Sequence, residues 1–194
     1  MVSYEVFEQG IEVNGSTIMV VVAGFGDFRA LADRSLRQAG LSDVQDSLNS
    51  WYPQQDWLDA FKAISQKVGS SVLFRIGKQI PEHAELPPGM DSIEAILQGA
   101  DAGFHMNHRN AKGEVLFDPN RFKPMLEGIG HYGYELVGEK KIVMECNNPY
   151  PCDFDFGLIT AFAQKHENLA KIRHDDTKPC RKDGADSCTY IIEW

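Results

Sequence analysis

The sequence has no apolar run long enough to cross a bilayer. The longest, Ile18 to Phe25, falls far short of the ~20 residues that a spanning helix needs. Nor does a basic stretch precede an apolar core at the start, where Met1-Val-Ser-Tyr-Glu5 stands, so no signal peptide and a cytoplasmic location are expected. Without export, the four cysteines are expected as thiols or metal ligands rather than disulfides. Positive charge is scarce. The 19 Lys and Arg against 28 Asp and Glu leave a net charge of −9, which excludes a sequence-independent nucleic-acid binder that must displace counterions from phosphate. The one basic cluster, Lys178, Arg181 and Lys182, is expected to be a solvated hairpin. Repeats and low-complexity segments are also lacking, and 194 residues suit one continuous fold with a single sizeable core, as a monomer or a small oligomer such as a homodimer.

What is present alternates between strand and helix signals. Asn14-Gly15 is a type I′ turn signal and Ser16 to Val22 is rich in strand formers, so Ile11 to Val22 is expected to form a hairpin. Helices are expected over Phe28 to Ala39, Asp56 to Val68 and Ser71 to Ile80, stopped by Gly40, Gly69 and Pro81 in turn. Pro87-Pro88-Gly89 marks a loop, and Asp91 with Glu94 opens a further helix whose buried face is Ile93, Ile96 and Leu97. From Tyr132 onward strands are expected at Tyr134 to Val137, Lys141 to Cys146, Ala170 to Arg173 and Cys188 to Trp194. Asp153 or Asp155 caps an intervening helix. Together these elements predict an α+β fold, with an N-terminal hairpin and helical half packed against a C-terminal antiparallel sheet with a crossing helix.

All four cysteines, Cys146, Cys152, Cys180 and Cys188, fall in the last quarter of the chain, which points to a common site rather than to scattered core positions. Cys180 and Cys188 flank Asp183-Gly184, a turn signal whose glycine is equidistant from both, so a hairpin there sets the two sulfurs side by side. Two adjacent thiolates are half of a tetrahedral zinc site, and Cys146 and Cys152 can supply the rest, with His174, Asp175 and Asp176 as substitutes for one of them. Buried free thiols, or disulfide or redox use, remain the alternatives. No cysteine–histidine spacing resembles a nucleophile and its base.

The stretch Tyr134-Glu-Leu-Val, Asn148-Pro-Tyr-Pro-Cys152-Asp-Phe-Asp-Phe-Gly157-Leu-Ile, Cys180-Arg-Lys-Asp-Gly184 and Cys188-Thr-Tyr-Ile-Ile-Glu-Trp194 resembles the 4-vinyl reductase-type sensor domain over about sixty residues. That family is similar in fold to haem nitric-oxide/oxygen-binding domains and to a vesicle-tethering subunit with an acyl-chain cavity. The resemblance implies a ligand-binding module, with residues 130–194 as its most specific part. In regulators of phenol catabolism with this domain, three such cysteines and an acidic residue hold zinc near the effector pocket, which maps onto Cys152, Cys180 and Cys188. The acidic position is not matched, because Thr177-Lys178-Pro179 stands there. The fourth ligand therefore lies between Cys146 and the group His174 to Asp176.

Phe104-His105-Met106-Asn107-His108-Arg109 is the other chemically dense stretch. His105 and His108 share a helix face and can bind a metal, or one can be an axial haem ligand. The Tyr-x-Ser-x-Arg motif that holds haem propionates in haem-binding relatives is absent. Gly128-Ile-Gly130-His131-Tyr132 is dense in glycine but neither follows a strand nor opens a helix, which excludes a dinucleotide fingerprint. Trp51, Trp57, Tyr132 and Tyr134 are candidates to line an apolar pocket.

The expectation is thus a non-enzymatic sensor with a cysteine zinc site and a pocket for a small apolar or aromatic ligand, regulating a separate signalling protein. One alternative is a haem-based gas sensor using His105 or His108. Another is an enzyme or accessory acting on a tetrapyrrole or aromatic compound, for which no acid–base pair is visible.

Overall fold

The computed structural model describes residues 4–83, 89–118, 123–124 and 127–194. Pro87 and Pro88 of the expected loop lie outside them. The chain is α+β, as its pattern predicts: among the described residues, six α-helices and antiparallel strands are arranged around two large apolar clusters.

The first departure from the sequence pattern comes at once. Glu12–Asn14 is a short strand, β1, but Gly15–Ala23 is helix α1 rather than the second arm of a hairpin. Asn14 is an N-cap, its side-chain oxygen accepting a 2.8 Å bond from the Ser16 amide, and the turn signal at Asn14-Gly15 is used to start a helix. The residues that favour a strand face inward here. Ile18, Val21 and Val22 are buried in the first cluster, and tertiary burial outweighs β-propensity.

A 3₁₀ turn leads into α2, Arg29–Gln38. Strand β2, Trp51–Pro53, pairs antiparallel with β1, and α3, Gln54–Val68, follows directly. Helix α4, Ser70–His83, runs through Pro81 instead of ending there. Ser92, not Asp91, caps α5, Ile93–Met106, through a 3.1 Å bond from the Ala95 amide. Strand β3, His108–Arg109, then closes the small sheet on the other edge of β1. The strands β4, Phe117–Asp118, and β5, Lys123–Pro124, pair with each other.

The C-terminal part holds the larger sheet. Its strands are β6, Tyr132–Gly138, β7, Lys141–Cys146, β8, Lys171–His174, and β9, Cys188–Glu193, in spatial order β6-β7-β9-β8 and antiparallel throughout. Helix α6, Cys152–His166, crosses between this sheet and α4. Asp153 and Asp155 lie in its first turn, where the helix dipole favours them, while Pro151 holds the cap position. The α4–α6 crossing is set by two glycines. A Cβ on Gly77 would drive into the Phe154 carbonyl, and one on Gly157 into the Phe74 carbonyl, so the two backbones touch without side chains between them.

Candidate functional site

Three sulfurs converge where α6 begins. Cys180 Sγ lies 3.8 Å from Cys152 Sγ and 3.6 Å from Cys188 Sγ, and none of the cysteines is in a disulfide. A disulfide needs ~2.05 Å between sulfurs. Zn–S bonds of ~2.3 Å at tetrahedral angles instead space neighbouring sulfurs by about 3.8 Å. The observed separations are compatible with a thiolate set around one ion.

The fourth donor beside them is His174, at the end of β8. Ligand atoms of Cys152, His174, Cys180 and Cys188 all lie within 4.8 Å of one another. His174 Nε2 is buried and has no hydrogen-bond partner, an orphan that a metal would satisfy. Cys146 stands directly opposite Cys188 in the β7–β9 register but is not in this group. Its thiol is fully buried, and desolvation holds it well above the usual thiol range. The expected hairpin between Cys180 and Cys188 does not form. Cys180 instead caps a 3₁₀ turn over Arg181–Asp183 that ends at Gly184 with φ +90°, and this turn folds the sulfurs together.

The surroundings treat the sulfurs as acceptors. The Lys182 amide donates to Cys180 Sγ at 3.4 Å, the Arg181 amide to Cys188 Sγ at 3.3 Å, and the Tyr190 hydroxyl to Cys152 Sγ at 3.3 Å. Such donors stabilise thiolates and tune a metal they hold. Hydrogen bonding from Cys152, with the bonds from Arg181, draws the Cys188 thiol down against its desolvation, and the same shared bond pushes Cys152 up. The residues present therefore fit a structural zinc ion.

Arg181, expected in a solvated cluster, is buried. Its Nε donates to Cys188 Sγ at 3.4 Å, its Nη1 to the Asn148 side chain and the Tyr150 carbonyl, both at 2.9 Å, and its Nη2 to Asp155. Asp155 also accepts from the Tyr132 hydroxyl at 2.6 Å and from Asn148 at 3.1 Å. A charge this deep persists only when paired and fully hydrogen-bonded, and the sequence offers no sign of which arginine meets which aspartate.

Tyr132 in turn lines an apolar cavity of about 190 Å³. Phe154, Leu158 and Phe162 of α6 form one wall, Gly99, Gly103 and Phe104 of α5 a second, and Val20, Val21, Trp57 and Tyr150 much of the rest. Trp57, a pocket candidate from the sequence, is stacked on Phe61 at 5.3 Å. His108 reaches the cavity but His105 and Tyr134 do not line it. Trp51 sits beneath Arg109, whose guanidinium lies 4.9 Å from the ring centre. The His108 ring is wholly buried, its Nδ1 bonded to the Phe104 carbonyl at 2.7 Å and its Nε2 unpartnered. Desolvation lowers its pKa to about 4, so the ring is neutral and Nε2 offers a lone pair.

Several solved structures share this architecture. The fold is that of H-NOX domains. A mutant of T. Tengcongensis H-NOX matches with a TM-score of 0.63 at 16% identity, over 93% of this chain and 96% of its own. An oxygen-binding H-NOX domain related to soluble guanylate cyclases, solved as its oxygen complex, matches at 0.61 and 16%, covering 93% and 94%. An H-NOX protein from S. oneidensis in the Fe(II)NO ligation state matches at 0.55 and 17%, covering 93% and 98%. No family model matches the sequence, and no curated protein does. Among the described residues no single helix is long and apolar enough to cross a membrane.

Proposed function

We propose that this chain is a small-ligand sensor domain in which the apolar cavity receives the signal and the thiolate centre anchors the helix that carries it to a separate signalling protein. The observation behind this reading is α6. Its first residue, Cys152, belongs to the sulfur cluster, while Phe154, Leu158 and Phe162 of the same helix wall the cavity. Ligand binding that moves this wall shifts a conformational equilibrium which a partner can read. Zinc on Cys152, His174, Cys180 and Cys188 would fix the 3₁₀ turn and β8 to the start of α6 as a closed four-coordinate structural site.

The kinship of fold favours a haem-based gas sensor over an organic-ligand sensor, because the neighbours are described by haem, oxygen or nitric oxide. The unpartnered Nε2 of His108 agrees with it. The other residues at the cavity do not fit a haem. The space, about 190 Å³, is below the ~300 to 1,000 Å³ of ordinary ligand sites. Phe104 is wedged among the lining rings, with edge-to-face contacts to His108 at 4.8 Å, Tyr132 at 5.3 Å and Tyr150 at 6.0 Å. Among the described residues the lining holds no Arg or Lys to pair with two propionates, consistent with the missing Tyr-x-Ser-x-Arg motif. The cavity suits one small apolar molecule instead, as an apolar void of ~150 Å³ admits benzene.

The deciding experiment is elemental analysis with an absorption spectrum on purified protein, wild type beside Cys180→Ser. One zinc per chain, lost in the variant and accompanied by no visible band, supports the proposal. A Soret band that survives Cys180→Ser and disappears in His108→Ala would make the chain a haem sensor. Protein with neither metal nor band would reduce the cysteines to core thiols.

A further inference from the structure

We infer a second metal site, built from nitrogen and oxygen donors and independent of the thiolate centre: a divalent first-row transition-metal ion held by Asp101, His105 and His131. Helix α5 places Asp101 and His105 one turn apart, and neither lines the cavity; the segment leading into β6 brings His131 against them. Asp101 Oδ2 lies 3.2 Å from His131 Nδ1, while His105 Nδ1 donates to the Asp101 backbone carbonyl at 2.9 Å and leaves Nε2 as the ring's free donor. Ligand atoms of all three residues lie within 4.8 Å of one another. Metal–nitrogen and metal–oxygen bonds of ~2.1 Å space adjacent tetrahedral donors by about 3.4 Å. The Asp101–His131 edge already has nearly that length.

The outer contacts match those of a metal-binding imidazole. Metal-bound histidines characteristically donate the far ring N–H to a carboxylate. His131 Nε2 lies 2.7 Å from Glu127 Oε2, leaving Nδ1 toward Asp101. Asp101 is itself held, its Oδ1 accepting from the Tyr132 amide at 2.9 Å. An independent observation comes from His105. Its side chain is wholly buried, and its Nε2 has no hydrogen-bond partner, whereas a histidine buried for packing alone normally satisfies both ring nitrogens.

Without an ion, His131 bridges Asp101 and Glu127 and ties the start of β6 to α5. Binding replaces the Nδ1 proton with the metal, and that proton leaves to solvent, while the Nε2 proton stays with Glu127. Two imidazoles and one carboxylate leave coordination positions open, and the donor set suits iron(II), manganese(II), cobalt(II) or zinc(II) rather than a soft ion that demands sulfur.

Cobalt(II) titration of the reduced, metal-free full chain separates the two centres, because only thiolate ligation gives an intense near-ultraviolet charge-transfer band. The expected result is two cobalt ions per chain, one with that band and one showing only weak visible transitions. His131→Ala abolishes the second and leaves the thiolate band. Glu127→Gln, at an exposed side chain that the fold does not need, weakens the second site ~10- to 100-fold. That variant keeps the test decisive if His131→Ala fails to fold. A single equivalent carrying the thiolate band overturns the inference, as does a second equivalent whose affinity neither variant changes. A band-free equivalent without any thiolate band would support this site and remove the zinc reading instead.

Discussion

Replacing His108 with asparagine tests how the buried ring is held. The amide nitrogen of the shorter side chain can take over the bond that His108 Nδ1 makes to the Phe104 carbonyl, while the titration is removed. In the native chain desolvation lowers the His108 pKa from 6.5 to about 4, so the fold binds no proton there until about pH 4, whereas the unfolded chain binds one from about pH 6.5 downward. Between those values the unfolded state holds more protons, and stability falls as pH falls. Integrating the two titrations, this one group removes about 2 kcal/mol by about pH 5 and about 3 kcal/mol by about pH 4, then little further. Urea unfolding followed by the fluorescence of buried Trp57, with a chelator present so that metal loss does not contribute, measures the effect. Wild type should lose that much more stability across the window than His108→Asn. Parallel losses in the two proteins would refute a neutral, desolvated His108.

Three further outcomes are expected. Asp155→Ala strands the buried Arg181 charge and should cost about 3 to 5 kcal/mol, seen as a large drop in thermal midpoint, with Asp155→Asn costing less. Gly157→Ala forces α4 and α6 apart and should destabilise by about 1 to 3 kcal/mol or more, whereas Gly103→Ala, with open space at its Cβ, should not. Cys188→Ser should release bound zinc while Cys146→Ser retains it, measured by metal content after gel filtration; equal loss from both would return Cys146 to the ligand set.

The fold class was legible because periodicity survives burial at the C-terminal end. Lys141 to Cys146 and the helix carrying Phe156, Ile159 and Phe162 fall where their spacing puts them. The N-terminus misled because Val20-Val21-Val22 favours a strand locally, and only packing within the cluster around Trp57 and Phe61 makes it a helix. Clustering in sequence pointed to the cysteine site. The part of His174 in it depends on which strand neighbours β9, and no local signal carries that. Asp101 with His131, and Arg181 with Asp155, are pairings across 30 and 26 residues that only the folded chain brings together.

The glycine contact between α4 and α6 has a mechanical side. Most helix pairs meet through side chains that can change rotamer and let one helix slip past the other. Here peptide groups abut at Gly77 and Gly157, with no side chain between the backbones at those two points. The two helices form a stiff lever, with Cys152 and its sulfur neighbours at one end and the cavity wall along its length. In the proposed sensor, a push on Phe154 or Leu158 by a ligand would move both helices together, because their backbones are in contact.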